Sequence, residues 1–288
     1  MDEIQKKVEL IIGKENMKLM LFADDLCLWG DSKKEIQEQL DVWVRVSRQY
    51  GLIFSAEKSE IVVMEGDGEP DGEINIEGKQ MKRVHKFKYL GSIITSDGLI
   101  EGEISNRLQS ASNFYYTVKD LVWNKSVPLK CEKTIYESYY IPILTYSSET
   151  WTMRKKEERR LQTAEMRFVR SMCGKTRRDR IKNEQLREMA QVERLQSKIE
   201  RSRLKWYGHV KRMDRSRLPH QMLHKSFNKS RNIGRPRRRF EDMIRNDVEK
   251  RGGNWERVVS EELYKNRPLW RELSRRPVIQ MERQMDID

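Results

Sequence analysis

Cysteine is scarce and scattered in this 288-residue chain: Cys27, Cys131 and Cys173 are all it has. Three thiols so far apart build no disulfide framework, and their odd number fits a reducing intracellular compartment, nuclear or cytoplasmic, rather than secretion. An apolar leader is missing too. The opening MDEIQKKVEL carries an acidic pair and no hydrophobic segment, which argues against a signal peptide. No uninterrupted apolar run reaches the length that crosses a bilayer, so no membrane partner is expected. Histidine is almost as rare, with four residues. His220 and His224 have the i, i+4 spacing of a helical metal pair, but no Cys pair completes a zinc site. Gly-rich phosphate loops, a Ser-His-Asp arrangement and internal repeats are absent as well.

Charge is what the chain has in abundance. Charged residues (36%) nearly equal hydrophobic ones (37%), yet seven Trp, seven Phe and ten Tyr argue for a folded core. The net charge of +13 is unevenly spread. Residues 1–120 hold 16 Lys and Arg against 22 Asp and Glu, while residues 151–240 hold 29 against 9. A field of +20 over ninety residues attracts polyanions, of which nucleic acid is the commonest large one. A solvated, highly charged helical surface would give the same composition.

The pattern of apolar residues predicts an α+β segment over residues 1–100, then helices. MKLMLFADDLCLWG reads as two short strands around a tight turn, with Asp at the turn. Ser32 and Glu35 form a capping box ahead of Ile36, Leu40, Trp43 and Tyr50 at helical spacing, and Gly51 stands at the helix end. LIFSAEKSEIVVM reads as an extended stretch ending in a buried strand. A turn-rich loop over Glu65–Glu73 precedes EINIEGKQM, a small hairpin around its Gly, and then HKFKYLGSIITSDG, a strand and loop. From Glu101 helices take over. Residues 101–223 read as a helical, basic region whose longest helix lies near Val192–Met213. Residues 224–240 read as a basic linker, and 241–288 as two short terminal helices.

Asp24 and Asp25 sit between two apolar runs, where an unpaired charge is costly to bury. A strand-turn-strand resolves the conflict by anchoring the flanks and lifting the carboxylates out. Such a pair suits Mg²⁺, which takes one or two carboxylates plus substrate phosphates. Two ions on the order of 4 Å apart clamp the attacking and leaving oxygens of a phosphoryl transfer. Taken alone, Asp-Asp is also an ordinary hairpin turn.

FADD between apolar runs resembles the catalytic aspartate motif of reverse transcriptases. YGLIFSAEKSEIVVM is similar to the palm motif that follows it, and FKYLGSIIT to the hairpin that grips the primer. LKWYGHVKRM and GRPRRRFEDMIRND resemble the region after the thumb in non-LTR, LINE-type retrotransposon polyproteins, so the likeness runs over roughly residues 15–275. The resemblance implies a partial palm, then an all-helical basic thumb and C-terminal region, with Mg²⁺ as cofactor and an RNA template and DNA primer as partners. Asp24 would be a metal ligand and Asp25 its supporting carboxylate. Lys58 would be the general acid for leaving pyrophosphate; beside Glu57 and Glu60 it also reads as a surface lysine. Tyr89, Leu90 and Gly91 would form the primer grip, a role compatible with strand core.

In the basic half, aromatics such as Phe168, Trp206, Tyr207, Phe227 and Phe240 could serve as stacking platforms, or as helical core. The candidate nucleic-acid contacts are Arg203, Lys205 and Trp206 on the longest helix and Arg235, Arg237, Arg238 and Arg239 in GRPRRR. That arm resembles an AT-hook core and equally a nuclear-import cluster or a solvated linker. The family's palm also needs an upstream Asp strand and basic fingers, and only 23 residues precede Asp24. The expectation is therefore a reverse-transcriptase fragment with an incomplete two-metal clamp, inactive alone. The alternatives are a non-catalytic nucleic-acid-binding protein derived from a retrotransposon, or a decaying element.

Overall fold

The computed structural model describes residues 2–12, 18–64, 73–225 and 238–278. The chain divides into two compact units, Met1–Gly102 and Glu103–Asp288.

The first unit is built on one long helix. It opens with α1 (Asp2–Ile12), followed by strands β1 (Leu19–Phe22) and β2 (Asp25–Leu28) and helix α2 (Lys33–Gln49). Short strands follow: β3 (Glu60–Ile61), β4 (Asn75–Ile76), β5 (Lys79–Gln80), β6 (Lys82–Arg83), β7 (Lys86–Tyr89) and β8 (Ser92–Thr95). Ser32 starts α2 as expected: its hydroxyl accepts from the Glu35 N–H at 3.2 Å. The Glu35 carboxylate reaches one residue further back than a capping box requires and accepts from the Asp31 N–H at 2.9 Å. Gly51, at φ +73°, then turns the chain out of the helix. One stripe of α2, with Trp43 and Val46, packs on Ile4 and Val8 of α1 and on the inner residues Leu19, Leu21, Leu26 and Leu28 of the β1–β2 hairpin. A second stripe, with Leu40, holds Ile74 and Ile76 beside β4. Gln37 on α2 acts as a strand edge for β4: its amide donates to the Asn75 carbonyl and accepts from the Asn75 N–H, both at 2.9 Å.

The sheets are two-stranded. β1–β2, β4–β5 and β7–β8 are antiparallel, whereas β3 pairs parallel with β6. Two expectations change here. HKFKYLGSIITSDG, a strand and loop by its residue pattern, is a hairpin, as the resemblance implied for FKYLGSIIT, because Leu90 and Gly91, at φ +47° and +87°, close a two-residue turn. The stretch expected to end in a buried strand yields only β3, whose residues are exposed or half-buried. Helix α1 was not anticipated, although Ile4 and Val8 lie one turn apart on its buried face. The turn-rich loop falls mostly outside the described residues.

The second unit is helical: α3 (Glu101–Val122), α4 (Leu129–Ile135), α5 (Ile141–Thr145), α6 (Lys155–Met172), α7 (Asn183–Met189), α8 (Leu195–Lys211), α9 (Leu218–His224), α10 (Phe240–Glu249), α11 (Trp255–Ser260) and α12 (Arg267–Arg275). A wide turn, Tyr136–Tyr140, joins α4 to α5 and buries both terminal tyrosines against Phe168 of α6. The Tyr140 hydroxyl donates to the Ala164 carbonyl at 2.8 Å. The last three helices share a core with α8: Leu204 and Tyr207 pack on Ile244, Val248, Val258, Tyr264, Trp270 and Leu273. Residues from Ile244 to Leu273 therefore contribute to this unit's core, and Glu262 (φ +48°) and Asn266 break the expected second helix into α11 and α12. Trp270 donates its indole N–H to the Leu204 carbonyl at 2.8 Å and packs against α8 where Gly208 leaves the backbone bare. A Cβ at position 208 would stand 2.2 Å from that nitrogen.

Candidate nucleic-acid and metal-binding surfaces

Asp24 and Asp25 stand at the tip of β1–β2. Phe22 pairs with Asp25 across a two-residue loop of Ala23 and Asp24. Ala23 takes φ +52°, the positive value that tight hairpins demand and that alanine resists. Both carboxylates are exposed while Leu21, Leu26 and Leu28 anchor the strands, which answers how charges fit between apolar runs. A clasp holds the hairpin base: Lys18, just before β1, reaches Asp31 at 2.6 Å and Glu35 at 3.0 Å. Hydrogen bonds to Asp31 and Glu35 raise the Lys18 ammonium above its ordinary range, and the bond from Lys18 holds Glu35 below its own.

Tyr89, expected in the primer grip, lies close to this hairpin. Burial raises its hydroxyl, and the nearby Cys27 and Asp25 add to the rise. Leu90 and Gly91 form the β7–β8 turn itself. Lys58 occupies an exposed turn before β3, and no hydrogen bond or ion pair joins it to Asp24 or Asp25 among the described residues. The two aspartates are adjacent and exposed, so they fit one Mg²⁺ with water or phosphate completing its shell. Among the described residues no group of three His, Cys, Asp or Glu side chains could hold a metal ion.

The basic unit keeps part of its charge inside. Arg203, expected to touch nucleic acid, is fully buried. Its guanidinium donates to the Asp247 carboxylate and to the Trp151 carbonyl, each at 2.8 Å, tying α8 to α10 and to the segment before α6. It is withdrawn from any surface, and the cause is a countercharge 44 residues away that no local pattern shows. Burial pushes the Asp247 carboxyl up to about 6; Glu200 adds to the rise and Arg203 opposes it. Burial would also raise Glu200, but Lys250 at 2.8 Å and Arg251 at 3.1 Å more than offset it, leaving Glu200 below its ordinary range.

Lys205 is exposed and Trp206 half-buried on the same helix, its ring 5.7 Å from His209. Phe168 and Tyr207 are core. Arg238 and Arg239 immediately precede α10: the Arg238 guanidinium donates to the Met153 carbonyl at 3.4 Å, and the Arg239 N–H to Asp242 at 3.0 Å. Arg235, Arg237, Phe227 and most of the basic linker lie outside the described residues. His220 and His224 do face one another, with ring centroids 4.5 Å apart, but the Lys211 ammonium stands 3.3 Å from His224 Nε2, where a metal would need a lone pair.

Sequence reasoning missed a cleft of about 250 Å³ between α6, α7 and the start of α8. Its floor is a buried pair: Arg187 donates to both oxygens of Glu165, at 3.2 and 2.8 Å, and Glu165 also accepts from the Leu195 N–H at 3.0 Å. Lys155, Glu158, Arg159 and Arg194 ring it. The residues come from three elements, so no spacing along the chain could have grouped them.

No described helix is long and apolar enough to cross a membrane. Residues 1–94 match the family of reverse transcriptases (RNA-dependent DNA polymerases). A transposon-derived protein of Caenorhabditis elegans, itself uncharacterised, is 25% identical over 278 residues, covering 92% of this chain and 98% of its own. No solved structure matches. The match to the reverse transcriptases takes in α1 and every hairpin of the first unit, and stops before α3. The motifs of the basic half lie within the similarity to the transposon-derived protein instead. At its N-terminal side the chain thus matches the reverse transcriptase family, and along most of its length it is similar to a protein of transposon origin.

Proposed function

We propose that this chain derives from a LINE-type retrotransposon reverse transcriptase and binds RNA or DNA through its basic helical unit. The palm hairpin retains Asp24 and Asp25 for Mg²⁺. The observation that carries the reading is the pair of exposed carboxylates at a tight hairpin tip inside a segment matched by the reverse transcriptase family. The basic composition of residues 151–240 supplies the attraction for polyanions.

In this reading Tyr89, Leu90 and Gly91 contact the primer, and Lys205, Trp206, Arg238 and Arg239 contact the nucleic-acid backbone and bases. Templated synthesis is not expected of these 288 residues by themselves, because two adjacent carboxylates do not form a two-metal clamp. A purely nucleic-acid-binding role is the second reading, and the charge of the second unit favours it.

Two measurements on the full chain test this. Fluorescence anisotropy with a single-stranded oligonucleotide should show binding that falls with salt, by a log–log slope of about −0.7 per contacted phosphate. A flat salt response, or no binding at low salt, would remove the nucleic-acid reading. Primer extension with Mg²⁺ or Mn²⁺ should give no product; synthesis that vanishes in Asp24→Ala would restore the enzyme.

A further inference from the structure

We infer that the cleft between α6, α7 and α8 is a phosphate-binding site that receives the terminal phosphate of a nucleic-acid strand. The inference rests on the nucleic-acid reading above and names a place for one end of the ligand.

The charge arrangement is what singles out this cleft. Arg187 and Glu165 neutralise each other at the floor, at 2.8 Å, and both are buried. Glu165 also fills the start of α8 by accepting the Leu195 N–H, so the helix end is not itself the anion's partner. What remains around the opening is Lys155, Arg159 and Arg194, all exposed, against Glu158 alone. The surplus of two positive charges matches a phosphomonoester, which carries about −1.5 to −2 near neutral pH, better than an internal phosphodiester with one. Two guanidinium groups offer the forked donors that phosphate oxygens accept, and one ammonium adds a point charge. The floor fixes the elements that carry these groups, because Arg187 links α7 to α6 and Glu165 links α6 to α8.

The test uses the full chain and three eight-nucleotide DNA strands of one sequence, labelled internally: one with a 5′-phosphate, one with a 3′-phosphate and one with neither. One phosphorylated strand should bind about tenfold tighter than the unphosphorylated strand. Arg159→Gln with Arg194→Gln should abolish that difference. Arg178→Gln with Arg180→Gln removes equal charge from an exposed turn and should weaken all three strands while keeping it. Inorganic phosphate should raise the melting temperature of the wild type and leave that of the Arg159→Gln, Arg194→Gln protein unmoved. Equal affinity for all three strands would overturn the strand-end assignment, and an unmoved wild-type melting temperature would then overturn the cleft as a phosphate site. A phosphate effect without any oligonucleotide binding would overturn the nucleic-acid reading and leave a site for free phosphate. Both variants alter exposed side chains, and circular dichroism checks that they fold.

Discussion

Arg203 shows how far one residue's role depends on its surroundings. In sequence it is one of many basic residues on a helix; in the fold it is an interior cross-link whose charge is answered by Asp247 at 2.8 Å. One nitrogen of the guanidinium and the second oxygen of Asp247 find no partner, so the pair is incompletely satisfied. Breaking such a pair by deleting one partner leaves a bare buried charge and costs about 3–5 kcal/mol. Arg203→Leu should therefore destabilise the protein strongly at pH 7.5. The sign of its pH dependence follows from Asp247. A carboxyl raised in the fold to about 6, against an unfolded value of about 3.9, contributes stability below the lower value and loses it as pH rises through the upper one. Without Arg203 the folded value climbs further. The gap between variant and wild type should thus narrow at pH 5 relative to pH 7.5 in urea unfolding; an equal gap at both would mean that Asp247 is not the stranded charge.

At the scale of elements, the hairpins were the most legible part of the chain. Alternating residues and turn-forming Asp and Gly marked β1–β2 and β4–β5, because strand pairing and turn geometry are local properties. The β7–β8 turn was legible only through the resemblance of FKYLGSIIT to a hairpin, not from its residue types. Leu90 holds φ +47°, a conformation a leucine rarely takes, where Asn before Gly would be ordinary. Leu90→Asn should stabilise the first unit by on the order of 0.5 kcal/mol, since relief of a left-handed residue outweighs a half-exposed leucine's packing. If Leu90 also presses on a primer, the same change should weaken binding to a primer–template duplex. A stabilised protein with unaltered duplex binding would leave the turn a purely structural device. The helices of the second half were legible as helices from their spacing, and α8 lies within the stretch the pattern marked, but it is not the longest: α8 has 17 residues, α6 18 and α3 22. Their partners were not, because the ion pairs and the indole that join α8 to later helices span 44 to 66 residues and leave no local trace.

For the whole molecule, the division of labour seen in the charge is real but less simple than the composition suggests. An acidic first unit carries the hairpin matched to the reverse transcriptases, and a basic second unit spends Arg187, Arg203 and Arg251 on its own interior. A fragment limited to residues 151–240 would lack both Asp247 and Trp270, so binding belongs to be measured on the full chain. A chain stopped after Gly252 should lose cooperative unfolding in its helical half, read by urea denaturation and limited proteolysis, although every residue of α8 is present. Retention of a sharp transition would show that α11 and α12 are dispensable. The bare strip at Gly208 makes the reason concrete in the order of synthesis. The ribosome delivers α8 first, and the indole that covers it arrives 66 residues after Leu204. During that interval the helix carries an uncovered apolar face and, until Asp247 follows, an arginine without its counterion. Its core cannot close in stages as the chain emerges: α8 stays open to proteases, and to association with other chains, until Trp270 has followed it.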